Sequence, residues 1–376
     1  MRKVVFLTTI PSPYRVAFFN EWGKLCDLTV IFEKQSSSER SELWKNVDVR
    51  HFTPVYLKGI SVRANKAFAP SITTYLKKLK YDVFIIGGYN TPTAMLAAEW
   101  LRAHKIPYIL NADGGYIKKD NAVVNNVKRR YISGASTWIC TSDKTIDYFK
   151  YYGADEKKVF KYPFTSIYEK NVLSEPLYPT EKKEIRARLG IPEEKMIISV
   201  GQFIYRKGFD VLLEACKELG GDTGIYLIGG KATDEYAEIV KNNRIQNVHF
   251  LDFMSPVELA EYYKAADLFA FPTREDIWGL VVNEAAAYGL PIVTTFDCIA
   301  GLEMVSDANG KLVPANDTIA LKTAIVSVLS DSDNAYKMAK ASLAKAKAFT
   351  VEKMAKRHDE IIEEFIDERK KSKKEK

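Results

Sequence analysis

Short apolar runs alternate with stretches of helical periodicity along most of the 376 residues, the pattern of parallel sheets with helices on both faces. In the first half KVVFLTT, LTVIFE, DVFIIGG, PYILNA and TWICTS read as strands. Between two of them TPTAMLAAEWLRAHK reads as a helix: Thr91 can cap it, Pro92 suits its first position, and Met95, Leu96 and the run Glu99 to Leu101 follow helical spacing. Residues 166–192 are polar and punctuated by proline, which predicts a linker carrying a short helix.

A second sheet opens with KMIISV, after which Phe209, Leu212, Leu213, Cys216 and Leu219 fall on one helical face. Further strands are read in GIYLIGG, VHFLDF, ADLFAFPT and PIVTT. The chain is therefore expected to be α/β, with two Rossmann-like halves at 1–170 and 171–352. A helix over 353–376 follows, with Met354, His358, Ile361, Ile362 and Phe365 along one stripe. Its most economical role is to pack across the junction and back onto the first half.

Composition adds exclusions. Hydrophobic residues at 47% and charged residues at 27% leave no room for global disorder. The formal charge of +7 is uneven, since the chain ends DERKKSKKEK. That tail reads as a solvated, frayed helix end or, alternatively, a patch for anionic lipid. No basic run interleaved with aromatics points to nucleic acid. Cys26, Cys140, Cys216 and Cys298 are scattered and share no ligand spacing with the four histidines, so the expectation is reduced core thiols, a cytoplasmic protein and no metal site. MRKVVFLTT has too few apolar residues before IPSPYR for a secretory leader and reads as the first strand. No apolar run approaches the roughly 20 residues a membrane span needs.

Open parallel sheets bind ligands beyond the carboxyl ends of their strands, and two such sheets are expected to face a central cleft. The loop TREDIWG follows a strand and leads into a helix starting near Gly279. Asp276 and Glu284, eight residues apart in that frame, can accept hydrogen bonds from sugar hydroxyls. The helix amides can take a phosphate, and Gly279 permits close approach. Singly, Asp276 reads as a cap and Glu284 as a solvated helix residue; the shared frame favours the ligand reading. GQFIYRKGFD puts Arg206 and Lys207 at the mouth of a second loop, where two cations would neutralise a diphosphate or be ordinary surface charge. In NADGG, Asp113 stands either against a substrate or in an Asx turn, and TTIPSPYR, which lacks G-x-G-x-x-G, could face the same cleft. DSD at 331–333 reads as a helix cap rather than a cation site.

These residues resemble the retaining glycosyltransferases of family 4, which have the GT-B fold. The family signature is an acid, Gly-Phe-Gly-Leu-Val, then a glutamate eight positions after the acid; here it reads DIWGLVVNE, with Asp276 in place of the usual first glutamate and Glu275 just before it. The resemblance implies that Asp276 handles the donor sugar, that the stretch Trp278, Gly279 and Leu280 meets the diphosphate, and that Glu284 binds the ribose. In GQFIYRKG, Lys207 matches the phosphate-binding lysine, Gln202 replaces the usual arginine at the donor site, and Arg206 is placed to compensate. PSPYRVAFFNEW, NADGGY and residues 131–166 resemble members that build bacterial polysaccharides, with Asp113 nearest the family's histidine.

What the resemblance implies is sugar transfer from a nucleotide-sugar donor to a lipid-linked or saccharide acceptor, with retention and with no cofactor or metal. Asp113, Arg206, Lys207 and Asp276 would be its catalytic residues. Peripheral contact with the inner face of the cell membrane is expected through KKDNAVVNNVKRRYI and the basic tail. Two rivals stand beside it: a nucleotide-sugar 2-epimerase of the same architecture, and a silent sugar-nucleotide sensor or scaffold, suggested by Gln202.

Overall fold

The computed structural model describes residues 1–35, 48–63 and 66–374. Its contacts divide the chain into two units, Met1–Ser166 with Thr350–Lys376, and Ile167–Phe349.

The first unit holds a parallel sheet of β1 (Lys3–Thr8), β2 (Asp27–Phe32), β3 (Thr53–Tyr56), β6 (Val83–Gly87), β7 (Ile109–Ala112), β8 (Thr137–Cys140) and β9 (Val159–Lys161), in the order β3-β2-β1-β6-β7-β8-β9. A small antiparallel hairpin, β4 (Ile60–Arg63) with β5 (Lys66–Phe68), interrupts the alternation. Parallel neighbours need crossovers, and these contain α1 (Pro13–Trp22), α2 (Ile72–Lys78), α3 (Pro92–Ala103), α4 (Ala122–Ile132) and α5 (Asp143–Tyr151). With helices on its faces the sheet is dry, and β1 is buried from its second residue to its sixth. Thr91 caps α3 as expected, its side chain accepting from the Ala94 amide at 3.1 Å.

The second unit repeats the plan. Its sheet is β12-β11-β10-β13-β14-β15, all parallel, from β10 (Lys195–Val200), β11 (Thr223–Ile228), β12 (Val248–Leu251), β13 (Leu268–Phe271), β14 (Ile292–Thr295) and β15 (Gly310–Val313). Its helices are α6 (Pro179–Leu189), α7 (Phe209–Cys216), α8 (Asp234–Asn242), α9 (Pro256–Ala265), α10 (Leu280–Ala287), α11 (Ile299–Met304), α12 (Thr318–Leu329) and α13 (Ser332–Ala346). The segment expected to be a linker is anchored to this unit through α6. Arg186 is buried and donates to the Ala265 carbonyl at 2.7 Å and to Asp267 at 3.0 Å, and Lys182 donates to the Ala266 carbonyl at 2.7 Å. Polar sequence here marks ion-paired docking rather than a free tether.

Strands β3, β9 and β15 and the hairpin were not legible in the apolar pattern. Each is three or four residues long, and β3, β9 and β15 lie at sheet edges, where one side of the ladder is unpaired. Pro54 inside β3 is tolerated for that reason. All four cysteines are free and buried, and among the described residues no helix is long and apolar enough to cross a membrane.

The last helix, α14 (Val351–Lys374), packs on α1 within the first unit. Its apolar stripe is buried, and His358 sits at the centre, its ring 4.3 Å from that of Tyr162, 4.6 Å from Phe18 and 5.3 Å from Trp22. Because the Met354 carbonyl, 2.8 Å away, can only accept, His358 Nδ1 carries the proton. Burial pushes its pKa down to about 3. An unfolded chain takes up a proton on this histidine below its ordinary value of 6.5, whereas the native chain does not. Its contribution to stability is therefore complete above that value and is lost as pH falls towards 3. Replacing it in His358→Leu is expected to flatten the urea-stability curve by on the order of 3 kcal/mol between pH about 6.5 and 4. Parallel losses in wild type and variant would contradict a buried neutral imidazole.

Candidate functional site

Strand order in the second unit reverses between β10 and β13, so the loops leaving their carboxyl ends lie side by side. That is where open parallel sheets place ligands. The β10 loop runs through a 3₁₀ turn, Tyr205–Lys207, to Gly208, which opens α7 at φ 69°. A Cβ at Gly208 would stand 2.1 Å from the Pro272 carbonyl oxygen of the β13 loop. Only glycine permits both that backbone conformation and that approach.

Across this contact the two loops are bonded. The Arg274 amide and the Thr273 hydroxyl both donate to the Arg206 carbonyl, at 2.8 and 3.0 Å. The Arg206 guanidinium donates to the Glu275 carbonyl at 2.6 Å and lies 3.4 Å from the Asp276 carboxylate. Lys207 Nζ donates to Asp276 Oδ2 at 2.6 Å, with the two side chains only 12% and 13% exposed, and sits 4.8 Å from the centre of the Phe271 ring. Two cations and one carboxylate thus meet at a single point.

Beyond Asp276 the chain is backed by residues 297–300: the Asp276 amide donates to Asp297 O at 2.9 Å, Ile299 N to Asp276 O at 3.2 Å, and Ala300 N to Trp278 O at 2.8 Å. Gly279 follows at φ 101° as the residue before α10 and, being glycine, brings no side chain of its own to cap the helix. The start of α10, at half-buried Leu280, carries the main-chain N–H groups and partial positive charge of any helix N-terminus. Glu284 lies in α10, where Oε2 accepts from the Tyr263 hydroxyl at 3.0 Å. Burial, reinforced by Glu284, holds the Tyr263 pKa well above its ordinary value, so this phenol remains a donor.

Trp278, expected at the donor site, lies directly before Gly279. Its indole is buried, with Nε1 donating to Asn283 Oδ1 at 2.7 Å, which leaves its main chain as the part able to meet a ligand. Gln202 is exposed, and its carbonyl accepts from the Ile204 amide at 2.9 Å. Asp331 caps α13 by accepting from Asn334 N at 3.0 Å, and among the described residues no group of three or more His, Cys, Asp or Glu is placed to hold a metal ion.

Asp113 belongs to the first unit, just past β7. Its carboxylate is paired with Arg15 of α1 and accepts from the Tyr162 hydroxyl at 2.8 Å, while Asn111 donates to that hydroxyl at 3.0 Å. Arg15 is buried and Asp113 is 30% exposed. Burial works most strongly against the Arg15 charge, but the Asp113 carboxylate together with Tyr162 and Tyr14 outweighs it and the pKa is raised. Sequence reasoning missed Arg15, Tyr162, Tyr263 and Arg274. Arg15 and Arg274 stood in the quoted PSPYR and TREDIWG stretches, whereas the two tyrosines carried no signal of their own.

Residues 181–345 match the family model described as Glycosyl transferases group 1. A D-inositol 3-phosphate glycosyltransferase of Xylanimonas cellulosilytica is 29% identical over 223 residues, 56% of this chain and 52% of that protein. The chain spans about half the length of the first curated relatives it matches. Among solved structures, a glycosyltransferase from Rickettsia africae superposes with a TM-score of 0.77 at 16% identity, covering 96% of this chain and 98% of that one. Anabaena Alr3699/HepE in complex with UDP-glucose superposes at 0.71 and 17% identity, covering 99% and 100%. These likenesses establish the GT-B fold, two Rossmann-like units built on parallel sheets.

The glycine contact has a direct test. Gly208→Ala is expected to cost about 2 kcal/mol or more in urea denaturation, since it adds a steric conflict to a strained φ. Gly190→Ala, at φ 70° with nothing within 4 Å of the added Cβ, is expected to cost only about 1 kcal/mol. Equal losses would contradict the tight apposition of the two loops.

Proposed function

We propose that the chain is a retaining glycosyltransferase of the family 4 type, moving a sugar from a nucleotide-sugar to an acceptor hydroxyl. The observation that carries this reading is the meeting of Lys207, Arg206 and Asp276 in the loop that leads through Gly279 into α10. Cations and helix amides converge there on a place for a diphosphate, with a carboxylate at its edge for sugar hydroxyls. Glu284, further along the same helix, accepts from the ribose. The Anabaena neighbour, whose structure holds UDP-glucose, supports a nucleotide-sugar as donor.

In this reading the departing diphosphate carries the largest charge developing in the transition state. Lys207, Arg206 and the amides around Gly279 and Leu280 stabilise it, already oriented and partly withdrawn from water. Asp276 both orients Lys207 and meets the donor sugar. The leaving phosphate takes the acceptor's proton as that hydroxyl attacks from the same face, so the sugar changes oxygen with retention and no enzymic nucleophile or metal is required. Asp113, fixed by Arg15 and Tyr162, orients a substrate hydroxyl. The acceptor is a saccharide or lipid-linked saccharide of the kind used in building cell-surface polysaccharide, and the protein works in the cytoplasm.

Membrane contact follows from α4 and the loop before it. Ile117, Val123, Val124 and Val127 are exposed beside exposed Lys118, Lys119 and Arg129, a mixture that suits the interface of an anionic bilayer. The basic tail was also expected to contribute; its side chains from 372 onward lie outside the described residues.

Lys207→Ala is expected to reduce turnover by roughly 2 to 4 kcal/mol in barrier height, about 10² to 10³-fold, as for a lost oxyanion donor. Sugar transfer from the best nucleotide-sugar into a saccharide or lipid extract is the assay, and near-normal transfer by the variant would remove Lys207 from the mechanism. Nucleotide-sugar binding without any transfer would favour the silent sensor. For the membrane contact, the protein is expected to float with anionic but not neutral vesicles, and the double variant Val123→Ser, Val127→Ser to float less. Flotation unaffected by lipid charge would sink that part.

A further inference from the structure

We infer that Arg274 is the positioning residue of this site, a tie that holds the cation-bearing loop and the acid-bearing loop in one geometry before a ligand arrives; this rests on reading the site as a diphosphate-sugar pocket. Arg274 leaves the end of β13 and reaches three other segments. Its guanidinium grips Asp210, in the first turn of α7, as a fork, with Nη1 to Oδ1 at 2.8 Å and Nη2 to Oδ2 at 2.6 Å. Nη1 also donates to the Tyr205 carbonyl at 2.6 Å, and Nε donates to Asn316 Oδ1 at 2.6 Å, beyond β15. Its Cζ lies over the Tyr205 ring, 3.9 Å from the ring centre.

Four of the five N–H donors of the guanidinium are thus spent on protein. At 12% exposure the side chain has little left to offer a ligand, which separates it from Arg206 and Lys207 themselves. What it does is indirect. Tyr205 and Asp210 bracket Arg206 and Lys207, so fixing both brackets fixes the turn that aims the two cations. The Arg274 amide on the Arg206 carbonyl completes the tie. Without it the β10 loop would have to be ordered by the ligand, and the ordering entropy would be subtracted from binding. Lysine cannot substitute, because a point charge lacks the planar fork and the stacking face.

A double-mutant cycle tests this, with Kd measured by calorimetry. The probe is whichever of uridine, guanosine, adenosine or thymidine diphosphate wild type binds most tightly. Arg274→Lys is expected to weaken binding about tenfold at a temperature where the variant is fully folded, and by less than about threefold when Lys207 is already alanine. A residue that only stabilises the fold would lower Tm without that coupling. Unchanged affinity in Arg274→Lys, or an equal loss in both backgrounds, would overturn the inference. Wild type that binds none of the four would instead sink the donor-site reading. Should Arg274→Lys fail to fold, Asn316→Ala removes a single partner of the same guanidinium; it is expected to show the same coupling with Lys207 at smaller size, and additivity there would equally overturn the proposal.

Discussion

Two neighbouring parallel strands, β10 and β13, end together at the point where the strand order reverses, and their loops bring opposite charges to that end. The pairing of Lys207 with Asp276 at 2.6 Å is possible because Gly208 allows the main chains to touch. A mostly buried ion pair is a poor device for stability, since the desolvation of both ions offsets much of their attraction. Its value lies in holding an ammonium at a fixed place, oriented and short of water, beside a helix start that also favours negative charge. Arg206, bonded to Glu275 and close to Asp276, belongs to the same constraint.

The site was partly legible in the sequence because its parts are local. A strand, a loop with an acid, a glycine and a helix glutamate recur within a short window, and GQFIYRKG announces a second loop of the same kind. The identity of the bonding partners was not legible. Arg274 meets Asp210 and Asn316 from 64 and 42 positions away, and although Arg274 and Asp210 stand in the two quoted loops, local sequence does not announce which residue pairs with which. Trp278 shows which part of a motif residue position alone leaves open: its indole turns inwards onto Asn283, so that only its main chain is left for the donor side. Among strands, the long buried ones such as β1 and β10 announced themselves as unbroken apolar runs. Edge strands β3, β9 and β15 did not, because one paired flank demands less apolar sequence.

The first unit shows the same logic with different chemistry. Asp113 presents a partly exposed carboxylate because a buried arginine and a tyrosine hold it from behind. The wall behind them includes His358, whose ring faces that of Tyr162 at 4.3 Å and which α14 carries onto α1. The terminal helix therefore supports the layer beneath Asp113, linking the last residues of the chain to the end of β7 through Tyr162.

The measurement that bears most directly on the account is a melting-temperature screen of uridine, guanosine, adenosine and thymidine diphosphates and their common sugars, run on wild type and Glu284→Ala. The account predicts a selective upward shift for one nucleotide-sugar that the variant loses. A folded wild type that shifts with none of them, or a shift the variant keeps in full, would contradict a donor site at the start of α10.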